Sequence, residues 1–189
     1  MSKLKTILIT TLALTLICVV FTAALALTNE VTKDRIAVVQ KQAEMQAMSR
    51  VLPADRYEIG TFKLADAEYY TAVNAAGDIQ GYIFTSSANG YGGAVKVMTG
   101  ITPDGKIVAI EVLDASQETP GLGQNATKAD FWEQFKGKSG RLNVAKSDVG
   151  ENDVKALTGA TITSNAVKDA VNKALTSYKL IIGEAEKNG

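Results

Sequence analysis

The chain has 189 residues, which suits one ordinary domain plus an anchor and leaves little room for a second domain. Its 20 Lys+Arg balance its 20 Asp+Glu, so nothing points to a nucleic-acid surface, and no run of like charge marks a disordered tail. It has no His and one Cys, Cys18, which removes the ligands of a zinc site, a Cys-bound iron–sulfur cluster and a His-bound haem, and also excludes His-dependent nucleophiles and an internal disulfide.

The first element is apolar. Residues 7–27 carry no charge, and as a helix they extend about 30 Å, enough to cross a hydrocarbon core. The rival reading is a cleaved signal peptide with Ala24-Leu25-Ala26 as its processing site. Secretory apolar regions run to about 7–15 residues, so this longer stretch favours a retained anchor. Cys18 follows Ile17 and lacks the small preceding residue of a lipoprotein site, so it reads as an ordinary lipid-facing side chain. Lys3 and Lys5 form a short basic flank, while Lys33, Arg35 and Lys41 follow the span. A short basic N-terminal flank is more often cytoplasmic, which places residues 28–189 outside the cytoplasm.

Residues 29–52 are expected to be helical. Val31, Val38, Met45 and Leu52 recur at heptad spacing. This stripe reads as a stalk packing on the domain, or as a docking face for a neighbouring protein of a larger assembly. Pro53 ends the segment. From Tyr69 the pattern turns to strands. TAVNAAGDIQGYIF predicts a hairpin around Gly77-Asp78. AVKVMTGITPDGKIVAIEVLD predicts another around Pro103-Asp104-Gly105, with Val108, Ile110 and Val112 on one face. Residues 126–136 suggest a short helix, and residues 142–146 a strand. Val167, Ala170, Val171, Ala174, Leu175 and Tyr178 trace the clearest helical stripe in the chain. Strands in meanders followed by helices predict an α+β fold, with an antiparallel sheet and flanking helices behind a single N-terminal membrane helix.

Two stretches carry candidate chemistry. In Leu157-Thr158-Gly159-Ala160-Thr161-Ile162-Thr163-Ser164, Thr163 or Ser164 is a natural N-cap for the last helix. Gly159 and Ala160 leave the Thr161 hydroxyl uncrowded. A helix N-terminus just beyond it favours an anion such as phosphate. Read plainly, the same residues form a capped turn whose hydroxyls serve only the backbone. In Glu118-Thr119-Pro120-Gly121-Leu122-Gly123, Pro120-Gly121 signals a turn, and Gly121 and Gly123 let the backbone approach a flat ligand. Alone, this is equally a surface loop. Gly90-Tyr91-Gly92-Gly93 reads as a turn entering a strand. It lacks the Lys of a P-loop, and the chain has no GxGxxG.

In order along nearly the whole chain, the apolar span, the stalk, GYGGAVKVMTGITPDGKIVAIEVLD, ETPGLG, FWEQFKGK and DVKALTGATITSNAV resemble the G subunit of the Rnf electron-transport complex. More distantly they resemble the C subunit of the Na+-translocating NADH:quinone reductase. The family's flavinylation pattern is an acidic residue, a spacer and Ser/Thr-Gly-Ala-Thr. Asp153 and Thr158-Gly159-Ala160-Thr161 match it. The resemblance implies FMN bound covalently by a phosphoester to Thr161, attached by a flavin transferase that uses FAD. It also places Glu118, Thr119, Gly121, Leu122 and Gly123 in the flavin environment, with Gly159, Ala160 and Thr163 around the attachment site. Residues 1–28 would then be the transmembrane anchor, 29–53 a helical stalk and 54–189 the FMN-binding domain.

The function so implied is an electron-carrying subunit of a membrane-bound, ion-translocating ferredoxin:NAD+ oxidoreductase complex, not catalytic alone. Its partners would be the other subunits of the complex, the transferase and membrane lipid, with no nucleic acid. The alternatives are a quinone-reductase C subunit, an FMN-binding domain serving another respiratory reductase, or a non-redox anchored binding module.

Overall fold

The computed structural model describes residues 3–62 and 67–188. The chain divides between Ala43 and Glu44 into two units. Helix α1 (Lys3–Val51) begins in the first and ends in the second. Among the described residues it is the one helix long and apolar enough to cross a membrane, and Leu8, Leu12, Phe21 and Leu25 along it are exposed. Pro53 disfavours helical geometry at Leu52, and the Leu52 N–H to Met48 carbonyl bond, 2.8 Å, closes the last turn.

Within the second unit, five strands form an antiparallel meander in sequential order: β1 (Arg56–Phe62), β2 (Ala67–Val73), β3 (Ile79–Asn89), β4 (Ala94–Ile101) and β5 (Ile107–Asp114). Both expected hairpins are present. Gly77 (φ 92°) turns β2 into β3, and Gly105 (φ 83°) turns β4 into β5. These conformations suit glycine because it has no Cβ to clash. β1 was not expected from the sequence.

Strand alternation gives the sheet two apolar faces. On one face Ile83 and Met98 pack with Ala47, Met48, Val51 and Leu52 of α1 and the turn that ends it. Of the expected heptad stripe, only Leu52 joins this contact, while Met45 is exposed. The packing face of α1 is therefore rotated away from the heptad line. On the other face Phe84, Val95, Val97 and Ile110 pack against helix α3 (Thr161–Asn188). Val167, Ala170, Val171, Ala174, Leu175 and Tyr178 of α3 are all buried, as the stripe predicted. Val108 departs from expectation: it packs with the α1 side, while Ile110 and Val112 belong to the α3 side. The register shift between Gly100 and Ile101 puts an extra residue into β5 and reverses the alternation there.

The helix expected over 126–136 is broken. A 3₁₀ turn (Gly123–Thr127) is followed by α2 (Ala129–Trp132) and a second 3₁₀ turn (Glu133–Phe135). Lys128 between them is extended (φ −87°, ψ 149°). That bend lets Ala126 and Phe131 both reach the core, where Phe131 and Phe135 meet edge-on with centroids 5.7 Å apart. Strand β6 (Asn143–Ala145) pairs in parallel with β7 (Asp153–Lys155). The Asn172 side chain ties this pair to α3 by bonding the Leu142 N–H at 2.9 Å and the Leu142 carbonyl at 3.0 Å.

Candidate cofactor-binding site

Three turns meet at one end of α3. The first joins β3 to β4 and is closed by a 2.7 Å bond from the Gly90 N–H to the Gly93 carbonyl. The second follows β5. There Thr119-Pro120-Gly121-Leu122 is a turn with Gly121 at φ 76° and a 3.1 Å bond from the Leu122 N–H to the Thr119 carbonyl. Proline then glycine at the two central positions is what such a turn requires. The third turn, Leu157–Ala160, has Gly159 at φ 75° and leads directly into α3. A Cβ on Gly159 would lie 3.1 Å from Leu122 Cδ2, so the second and third turns touch there.

Glu118 holds the arrangement together. Its side chain is buried. One carboxylate oxygen accepts the N–H groups of Gly92 at 2.9 Å and Gly93 at 3.4 Å, and the other accepts the Thr163 hydroxyl. Burial alone would push this carboxyl up. The Thr163 hydroxyl and the backbone N–H groups at 91–93 outweigh burial and hold it below its usual value. Glu118 is thus a buried anion joining the first turn, the second turn and the start of α3. No Cβ would fit at Gly123, where it would lie 2.6 Å from Thr163 Oγ1 and 2.7 Å from Glu118 Oε2.

The start of α3 differs from the sequence expectation. Neither Thr163 nor Ser164 is the N-cap. The helix begins at Thr161, and its first i→i+4 bond runs from the Ser164 N–H to the Ala160 carbonyl at 3.0 Å. Ser164 is instead buried. Its hydroxyl donates to the Ala160 carbonyl and accepts the Leu157 N–H, bracing the preceding turn. Among the described residues, the N–H groups of Thr161, Ile162 and Thr163 have no protein partner, and neither does the Thr161 hydroxyl. Such a first turn, with its positive dipole end, is suited to an anion.

These segments enclose an open cleft of about 590 Å³. Of the predicted residues, Glu118, Thr119, Leu122, Gly123, Gly159, Ala160, Thr161 and Thr163 line it, while Gly121 shapes the turn without lining the cleft. Thr163 lines it with its hydroxyl turned inward to Glu118. Asp153 lies in β7 and accepts the Gly150 N–H at 3.0 Å. Two lining residues were not singled out from the sequence, Tyr91 and Ile162. The only signal for Tyr91 was an aromatic residue flanked by glycines. Ile162 lies off the buried stripe of α3.

The cleft combines exposed apolar groups (Tyr91, Leu122 and Ile162) with a free hydroxyl and free N–H groups. That donor set suits a flat aromatic group carrying a phosphate, and FMN has both parts. A wider groove of about 1120 Å³ runs beside α3 near Arg141 and Lys173, but it brings together none of the predicted residues.

Residues 90–176 match the FMN-binding domain family, and residues 1–51 match the RnfG N-terminal region. The chain is 38% identical to the G subunit of the Na(+)-translocating ferredoxin:NAD(+) oxidoreductase complex of Acetobacterium woodii, over 89% of each chain. It is 33% identical to the G subunit of the proton-translocating ferredoxin:NAD(+) oxidoreductase complex of Clostridium ljungdahlii, over 90% of each. Among solved structures it is similar to the C subunit of the Na(+)-translocating NADH-quinone reductase of Parabacteroides distasonis. That match has a TM-score of 0.51 and 28% identity, and covers 59% of this chain and 60% of that one. The chain therefore belongs to the family of G subunits of the Rnf ion-translocating ferredoxin:NAD+ oxidoreductase complexes, and it carries that family's FMN-binding domain.

Proposed function

We propose that the chain is the flavin-carrying electron relay of its complex, with FMN joined through its phosphate to Thr161 Oγ1. One observation carries this reading. Among the described residues the Thr161 hydroxyl is unpaired; it stands beside the N–H groups of the first turn of α3, which also lack partners there, and opens into the same cleft as the 118–123 loop. In the attachment step, FAD supplies the FMN phosphoryl group. The Thr161 oxygen bonds to that phosphorus, AMP leaves, and the hydroxyl proton goes to solvent or to the transferase. When bound, FMN supplies reversible one- and two-electron chemistry, and the protein supplies position and electrostatics.

On this reading the N–H groups of Thr161, Ile162 and Thr163 would hold the phosphate, and Leu122 would offer apolar contact to the ring. Glu118 and Thr163 hold the walls of the cleft without taking up those N–H groups. Residues 1–28 are assigned as the membrane anchor, 29–53 as the stalk and 54–189 as the FMN-binding domain. The proposed partners are the other proteins of a complex that exchanges electrons between ferredoxin and NAD+.

Two measurements test this role. The full-length, flavin-loaded protein in detergent should bleach with dithionite and recover in air, yet show no NADH oxidation above buffer. Rapid NADH turnover by the purified chain alone would overturn the relay assignment. For orientation, a periplasmic-type reporter fused after Gly189 should be active in cells, and activity only from a cytoplasmic reporter would reverse the topology.

A further inference from the structure

We propose that Tyr91 contacts the cofactor, its phenol ring forming one wall for the isoalloxazine. This rests on the reading above, in which the phosphate is carried on Thr161. Tyr91 is 73% exposed and lines the same cleft as Thr161, with Leu122 (43% exposed) and Ile162 (55%) as the other exposed apolar walls. Among the described residues the Tyr91 hydroxyl has no hydrogen-bond partner, and its ring meets no other aromatic ring.

The turn that carries Tyr91 is nonetheless tightly fixed. A Cβ at Gly92 would lie 1.8 Å from the Gln117 carbonyl oxygen. At Gly93 it would lie 1.8 Å from Gln117 Oε1, and at Gly90 2.4 Å from Glu118 Oε1. The Glu118 carboxylate also accepts the N–H groups of Gly92 and Gly93. Glycine at these three positions lets the turn press against Gln117 and Glu118, and Tyr91 is the turn's only side chain beyond hydrogen. Fixing the backbone that carries an exposed aromatic side chain at the wall of an open cleft presents that side chain to a flat ligand. The entropy of ordering the turn is then spent on folding rather than on binding. An aromatic face also stacks on a heteroaromatic ring with useful energy.

The test uses the full-length chain, loaded by a flavin transferase with FAD, as wild type, Tyr91→Ala, Tyr91→Phe and Tyr91→Trp. Flavin emission is measured per mole of covalent label. An electron-rich phenol or indole quenches flavin emission only near contact. Tyr91→Ala and Tyr91→Phe should therefore be severalfold brighter than wild type, and Tyr91→Trp should be as dim or dimmer. Loss of an aromatic wall should also weaken non-covalent FMN binding about tenfold, measured as Tyr91→Ala in a Thr161→Ala background. Equal emission per label in all four proteins would overturn the proposal while leaving the attachment site intact. If Tyr91→Ala fails to fold, the Phe and Trp variants decide by the same criterion. Absence of label on every protein, wild type included, would overturn the covalent reading and this inference with it.

Discussion

Thr161→Ala is expected to abolish covalent flavin altogether while leaving the fold in place. The fluorescent band in a denaturing gel should vanish when the variant is co-expressed with the transferase. The separation between labelling and folding is what makes the substitution informative. The Thr161 hydroxyl bonds to nothing within the described chain. Thr161 also stands at the first position of α3, where alanine is at least as good a helix former. Stability should therefore change by no more than about 0.5 kcal/mol, as at ordinary surface positions. Thr163 cannot take over. It is buried, and its hydroxyl is donated to Glu118. Thr161→Ser keeps a hydroxyl at the same place and should retain part of the labelling. Full labelling of Thr161→Ala would reject the site.

Glu118→Ala is expected to be the most damaging single change to the walls of the cleft. It removes the acceptor for the part-buried Gly92 and Gly93 N–H groups and for the Thr163 hydroxyl, and leaves that hydroxyl buried without its partner. The buried Thr163 hydroxyl costs about 1–3 kcal/mol when left unsatisfied, and the backbone N–H groups, which water reaches in part, add less, so a loss of about 2–3 kcal/mol follows. Glu118→Gln keeps the shape and one acceptor oxygen. Its amide can donate to Thr163 in place of the present bond, so its cost should be smaller, about 1–2 kcal/mol.

The two variants also separate in their pH dependence. The folded carboxyl is held below its ordinary value. Its contribution is therefore fully present above the unfolded value of about 4.3, and is lost as pH falls through the lower folded value. The stability gap between wild type and Glu118→Gln should be constant from neutral pH to about pH 5 and should narrow below about pH 4. Urea titrations of the full-length protein at several pH values measure this directly. A gap that widens on acidification would contradict the assignment of Glu118 as a buried anion.

How much of this was legible in the sequence depended on periodicity. The stripe from Val167 to Tyr178 follows the 3.6-residue repeat, and every one of its positions is buried. The two hairpins carried glycine at the turn positions that need positive φ, Gly77 and Gly105. Elements without such a signature were missed. β1 alternates only over Tyr57 and Ile59 before Thr61 breaks the pattern, too short a run to stand out. Gly60 is covered by the Tyr69 ring from the neighbouring strand, a pairing invisible along the chain. β7 spans only Asp153–Lys155, too short to show alternation.

In the site, the resemblance named segments that line one cleft, but how they are held together needed the third dimension. Thr163 and Ser164 have the composition of an N-cap, so local pattern placed the cap there. What decided otherwise was Glu118, distant in sequence, which takes the Thr163 hydroxyl, and the Leu157–Ala160 turn, which takes that of Ser164. The glycines at 90, 92 and 93 looked like an ordinary entry to a strand. Their role follows from close approach to Gln117 and Glu118, which no local pattern records.

The central claim is that this chain carries FMN on Thr161. The most direct measurement is peptide mapping by mass spectrometry of the full-length wild-type protein, purified from cells that also make a flavin transferase. The account predicts one FMN less one water per chain, with fragment ions assigning the added mass to Thr161. A flavin mass mapped to Thr158 or Thr163, or a wild-type chain with no covalent flavin under conditions that label an authentic substrate of the same transferase, would contradict it.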